Sequence, residues 1–210
     1  MSVSTSTDAN PPREPAWDIA RLFPDQGTWS IDDYLELTNS SNQRVEFDDG
    51  NIEVLAMPTE AHELIIRFLF LAMYNFATPK QLGEAFFSGI RVRNLNTKYR
   101  IPDIVFMLTE NRHRRTNDFW DGADLVMEVV SPDAESRTRD LVKKKQEYAA
   151  ASIPEYWIVD PRNSQVTVLT LQNGDYVEHG TFQTGEHATS VLLQEFSIDV
   201  SAVFAAAKDA

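Results

Sequence analysis

Leu125-Val126-Met127-Glu128-Val129-Val130 sets a single carboxylate in the middle of an otherwise apolar run. A run of this kind reads as a strand covered on both faces, which places it centrally in a sheet. Glu128 has to be paired, protonated or bound to a cation there, because an uncompensated buried charge is very costly; a plain buried ion pair is its other reading. Upstream, Arg100-Ile101-Pro102-Asp103 leads into Ile104-Val105-Phe106, so a second acid opens a second apolar strand, expected over 103–108. Taken alone, Asp103 equally fits a turn former after a proline. If both carboxylates project into one cleft, they form an oxygen-rich site. That site suits a hard cation such as Mg²⁺, and metal-assisted hydrolysis is the chemistry that follows.

Working outward, Ser30 stands three residues before Asp33 and opens a short helix through a capping box. Residues 44–47 and 52–55 alternate polar and apolar around Asp48-Asp49-Gly50-Asn51, the pattern of a hairpin with a glycine turn. From Glu60 to Phe76 apolar residues recur at helical spacing, and Pro79 closes that helix. Residues 86–92 read as a strand and 109–122 as an exposed, partner-facing loop. A helix is expected over 138–151, then strands over 156–159, 166–171 and 176–182, the last two joined through Asn173-Gly174. No regular β-α-β alternation appears, which favours α+β. Tyr156 and Trp157, inside an apolar strand, read as core residues.

At 210 residues and 42% hydrophobic, the chain suits one domain. It has no cysteine and only four histidines, so any metal must be held mainly by oxygen. The run 64–77 is broken by Arg67 and Asn75, so no membrane span is expected. The first residues lack a basic flank and an apolar segment, which leaves the cytoplasm as the default location and residues 1–29 as a flexible arm. A formal net charge of -13 opposes a nucleic-acid partner. Basic residues nonetheless cluster at Arg112, Arg114 and Arg115 and at Arg137, Arg139, Lys143, Lys144 and Lys145, as a solvated face or as a phosphate track.

Pro102-Asp103 followed after a loop by Glu128 resembles the PD-(D/E)xK nuclease signature. A longer ordered set adds Glu46 with Gly50, Met57-Pro58, His62, Glu128 to Pro132, Asp140 with Lys144 and Tyr148, and Pro154 to Pro161. Together these residues resemble the Uma-type restriction endonuclease family from about Ser30 to Val203. The resemblance implies a restriction-endonuclease-like core over 30–204, a mixed central sheet flanked by helices, with a tail over 205–210. It implies a Mg²⁺-dependent endonuclease, with Mn²⁺ as an alternative metal, DNA as partner and a homodimer as an allowed assembly. Asp103, Glu128 and the Val129 carbonyl would hold the metal, with Lys144, Glu46 and His62 as further catalytic residues.

One position departs from the signature: the lysine expected two residues after the glutamate is Val130. In the Uma-type pattern Lys144, one turn after Asp140 and one turn before Tyr148, stands in. Within Lys143-Lys144-Lys145, a solvated lysine is its other reading. Two other functions stay open, a non-catalytic nucleic-acid-binding or protein-interaction module that keeps the fold, and a metal hydrolase for a small phosphorylated or acyl substrate.

Overall fold

The computed structural model describes residues 22–41, 43–87, 89–131 and 137–208. Helix α1 (Ile31–Ser40) starts at Ser30 with the expected capping box, Ser30 accepting from the Asp33 N–H and Asp33 accepting from the Ser30 N–H. Strands β1 (Val45–Asp48) and β2 (Asn51–Val54) form the expected hairpin. Positive φ at both Asp49 and Gly50 gives the left-handed turn that matches strand twist. A side chain at residue 50 would lie 2.7 Å from the Gly27 carbonyl, so only glycine fits where this backbone approaches. Residues 1–21 of the expected arm lie outside the described residues. From Gln26 onward the chain bonds the hairpin, Gly27 N–H donating to Gly50 O at 2.8 Å, and Trp29 is buried.

Helix α2 (Glu60–Ala77) carries Ile65, Ile66, Leu69, Met73 and Ala77 on its buried side, the spacing of one helical face. Next come β3 (Gly83–Phe87), β4 (Val92–Leu95), β5 (Lys98–Arg100) and β6 (Ile104–Leu108). The single strand expected over 86–92 is therefore two strands displaced to either side, and β5 was not anticipated. Short alternating segments with a glycine between them carry too weak a period to set their own ends. The expected loop 109–122 contains a 3₁₀ turn (Thr109–Arg114) and the two-residue strand β7 (Trp120–Asp121). Strand β8 (Leu125–Val129) precedes a π-helical turn (Arg139–Lys143) that runs into α3 (Lys144–Ala150). Then follow β9 (Glu155–Asp160), β10 (Gln165–Gln172), β11 (Asp175–Gln183), β12 (His187–Thr189), β13 (Ser197–Asp199) and α4 (Val200–Ala205). The last three elements had no counterpart in the sequence reading.

The fold is α+β with mixed sheets, as expected. Six strands form one sheet in the order β11-β10-β9-β8-β6-β3, and five form another in the order β2-β1-β5-β4-β7. In the six-stranded sheet only β8 and β9 pair in parallel, which requires a crossover, and α3 supplies it. α2 covers one face of this sheet and α3 the other. Tyr156 and Trp157 are fully buried core residues.

Glu155 at the start of β9 is buried and carries four hydrogen bonds. Its carboxylate accepts from Trp157 Nε1 and Ser190 Oγ, both at 2.6 Å, and from the N–H groups of Val191 at 2.7 Å and Leu192 at 2.8 Å. Among the described residues it thereby ties the 190–193 turn to the sheet. Glu155→Gln turns one acceptor into a donor that faces donors, and is expected to cost about 2 kcal/mol. Urea unfolding of the variant would check this, and a loss below 0.5 kcal/mol, roughly the scale of a surface change, would remove Glu155 as the latch.

Candidate active site

β6 and β8 are antiparallel, with Ile104 opposite Met127 and Phe106 opposite Leu125. One step further along the same ladder, Asp103 stands opposite Glu128. Because side chains alternate across a strand, Ile104, Phe106, Leu125, Met127 and Val129 enter the core under α2, while Val105, Met107, Val126 and Val130 enter the core under α3. Asp103 and Glu128 share that second face. There the sheet end meets the hairpin, leaving a cleft of about 320 Å³ whose wall includes Arg44, His62, Asp103, Glu128, Val129 and Lys144. The Asp103 Oδ2 accepts from the Val129 N–H at 2.9 Å, which pins the carboxylate to the edge of the next strand.

Val130, at the position of the missing lysine, is a buried core valine. The amine arrives from the helix instead. Lys144 is 3% exposed, and its Nζ lies 2.9 Å from Glu128 Oε1, 3.4 Å from Asp140 Oδ1 and 3.8 Å from Glu46 Oε1. Lys143, by contrast, is half-exposed and pairs with Asp48. Tyr148 donates its hydroxyl to Glu128 Oε1 at 2.6 Å. Asp140, Lys144 and Tyr148 thus lie along one side of the helical segment, facing the sheet. The π turn at their N-terminal end, in which Lys144 N–H donates to Arg139 O, widens the helix where it meets the cleft.

Glu46 is fully buried on β1. It accepts from the Ile101 N–H at 3.0 Å and lies 3.5 Å from Arg100 Nη1. Arg100, itself buried, forks onto Glu147 through Nε and Nη2, both at 2.7 Å. His62, in the first turn of α2, brings Nε2 to 3.4 Å from Asp103 Oδ1. All five side chains singled out from the sequence therefore converge.

Electrostatics separate the two acids. Burial pushes the Asp103 carboxyl up, but His62, Lys144 and the Val129 N–H outweigh it and hold the group below its ordinary range. Burial dominates at Glu128, where Asp103 and Asp140 add to it and Lys144 and Tyr148 only partly offset it, so its pKa is pushed up to about 8. Asp140 is raised as well, first by burial. Burial would lower Lys144, yet Glu128, Glu46, Asp140 and Asp103 hold its proton far more tightly than usual. Two adjacent carboxyls driven apart in this way can act one as base and one as acid.

Among the described residues, no three His, Asp or Glu side chains close around a common point as a cage for an ion. Asp140 and Glu53 also line the cleft but pair with Lys144 and Arg139, which leaves the Asp103 and Glu128 carboxylates and the wall at Val129 as the oxygen donors nearest the strand ends. So small a set fits Mg²⁺, which takes one or two carboxylates and completes its shell with water or phosphate oxygens, and it does not fit a fully caged ion.

The basic clusters turn largely inward. Arg114 donates to the Asp121 carbonyl at 2.7 Å and lies 3.5 Å from Asp124, while Arg115 pairs with Glu84 at 2.6 Å and stacks on Trp120. Arg137 forks onto Asp160 at 3.0 and 2.8 Å. These three side chains each tie to an acid or carbonyl of the fold. Arg139 lines the cleft and reaches Glu53 at 2.6 Å. Sequence reasoning passed over Arg44 and Arg100. Arg44 had a signal, since it precedes Glu46 by two residues in an alternating strand and so shares its face.

Among solved structures, the chain is similar to a putative nuclease belonging to DUF820 from Anabaena variabilis ATCC 29413. The TM-score is 0.65 at 17% sequence identity, with 82% of this chain and 98% of that chain covered. At that identity the likeness concerns the fold. None of the curated proteins compared with the chain matches it. The family model Uma2, described as "Putative restriction endonuclease", matches residues 31–201. With most of its length so matched, the chain belongs to the Uma2 family.

Proposed function

We propose that the protein is a nuclease that hydrolyses phosphodiester bonds of DNA with the help of Mg²⁺ held by Asp103, Glu128 and the Val129 carbonyl. The observation that carries this reading is the convergence of Asp103, Glu128 and the Lys144 amine on one cleft, with Lys144 replacing the lysine that Val130 displaces. When bound, the metal would polarise a phosphate oxygen and lower the pKa of a water. Lys144, kept cationic by its acidic neighbours, stabilises negative charge that develops at the phosphate. Glu46 and Asp140 hold that amine in place, and His62 orients the Asp103 carboxylate.

A second reading, a non-catalytic interaction module, draws on the net charge of -13 and on the Lys144–Glu128 pair, which satisfies the buried carboxylate without a cation. Plasmid cleavage separates the two. With Mg²⁺ the wild type is expected to cut and EDTA to stop it, while Glu128→Ala and Asp103→Asn each lower the rate at least ~100-fold. Absence of cutting by wild type with Mg²⁺ or Mn²⁺, or equal cutting by Glu128→Ala, would sink the nuclease reading.

A further inference from the structure

The cations around the cleft do not stand alike. Lys144 is saturated by carboxylates, His62 faces Asp103, and Arg139 reaches Glu53 and Asp140. Arg44 is different. Its Nε is buried and has no hydrogen-bond partner, and its Nη2 comes no closer than 3.9 Å to Asp103 Oδ1, beyond hydrogen-bonding distance. The guanidinium nevertheless lines the cleft, with the side chain 25% exposed. A buried N–H without an acceptor costs free energy, and a folded protein retains one where an acceptor arrives with a ligand.

The backbone explains the placement. Arg44 accepts from the Leu55 N–H at 2.8 Å, which extends the β1–β2 ladder by one residue and fixes Arg44 on the face that Glu46 occupies. Glu46 points inward to Lys144 and Arg100. Arg44, about 7 Å further along the strand, stands at the mouth of the cleft beside Asp103. Its Nε–H and Nη–H groups form a planar fork, the geometry that matches two oxygens of a phosphate.

We infer that Arg44 is a substrate-binding residue whose guanidinium clamps non-bridging oxygens of a phosphate seated beside Asp103 and Glu128. This rests on the nuclease reading for the nature of the phosphate, a backbone diester, but not for the presence of an anionic ligand. The inference also accounts for how an acidic protein meets a polyanion: an uncommitted donor lies at the reacting phosphate, while Arg114, Arg115 and Arg137 tie to acids and carbonyls of the fold.

The test uses the full chain, with Ca²⁺ in place of Mg²⁺ so that binding is read without cleavage. Two probes are titrated, a DNA oligonucleotide and inorganic phosphate, against wild type, Arg44→Met and Arg44→Lys. Arg44→Met is expected to weaken oligonucleotide affinity about 10- to 100-fold, the worth of charge-assisted hydrogen bonds. It should also reduce the slope of log affinity against log salt by roughly 0.7 to 0.9, one phosphate contact. Arg44→Lys should keep the slope and lose much of the affinity, because an ammonium cannot fork. The melting temperature of Arg44→Met in phosphate-free buffer should be unchanged or higher, since an unpaired donor is removed.

Loss of phosphate binding in Arg44→Met, in a wild type that binds phosphate but no oligonucleotide, keeps Arg44 as an anion clamp and removes the nucleic-acid reading. Equal oligonucleotide affinity and slope in wild type and Arg44→Met overturn the inference and leave the nuclease reading standing. A wild type that binds neither probe overturns both.

Discussion

Replacing Lys144 with alanine is expected to cost about 3–5 kcal/mol of stability, the range found when one partner of a buried ion pair is removed. Cleavage is expected to fall at least ~100-fold. The Nζ sits within 4 Å of Glu128, Asp140 and Glu46, all buried, so its removal leaves three carboxyl groups facing one another with no cation between them. Lys143→Ala provides the control, because that side chain is 48% exposed and pairs with Asp48 at the surface, a contact worth about 0–1 kcal/mol. Urea unfolding at neutral pH measures both. The Lys144→Ala deficit should shrink toward pH 5, as Asp140, raised by burial, takes up its proton beside a Glu128 that already holds one below about pH 8. If Lys143→Ala proves the more damaging of the two, the assignment of Lys144 to the site is wrong.

The second large effect is in the pH dependence of the metal-free protein. Folding raises the Glu128 carboxyl from its ordinary 4.5 to about 8, with burial as the first cause. Below the lower value the group is protonated in both states and takes nothing from stability. Between the two values the unfolded chain releases the proton while the native state keeps it, so stability falls as pH rises, and the loss levels off once the native group also ionises near pH 8. Glu128→Gln cannot titrate. In EDTA, its unfolding free energy relative to wild type should therefore climb steadily from pH 5 to pH 8. Mg²⁺ should then raise the melting temperature of wild type and leave that of Glu128→Gln where it was, because a ligand that binds only the native state stabilises it. A stability difference that stays flat across pH would mean that the native carboxyl is not raised.

Much of this was legible along the chain because period and composition are local signals. The alternation around Asp48-Asp49-Gly50-Asn51, the helical spacing from Glu60 and the apolar run at Leu125 each place an element by itself, and all three elements are present. β12, β13 and α4 were not legible, since three-residue strands have less than two periods to display. The pairing of Arg115 and Arg137 was not legible for another reason: an arginine's sequence neighbours do not reveal the acid it meets, and Glu84 and Asp160 lie far from them along the chain.

By itself the sequence determined that Glu128 would be buried in a central strand and needed compensation, that Asp103 opened the neighbouring one, and that no cysteine could serve a metal. Only the tertiary structure decided how Glu128 was compensated. The parallel pairing of β8 with β9 requires a crossover; the crossover lays α3 across the face that carries Glu128; and the π turn at its head delivers Lys144 rather than Lys143 or Lys145 into the gap beside Val130. Spacing from Asp140 and Tyr148 singles out Lys144 among three consecutive lysines, but its burial among four carboxylates is a property of packing, where the cost of desolvating a charge is offset only by the partners that the fold brings to it.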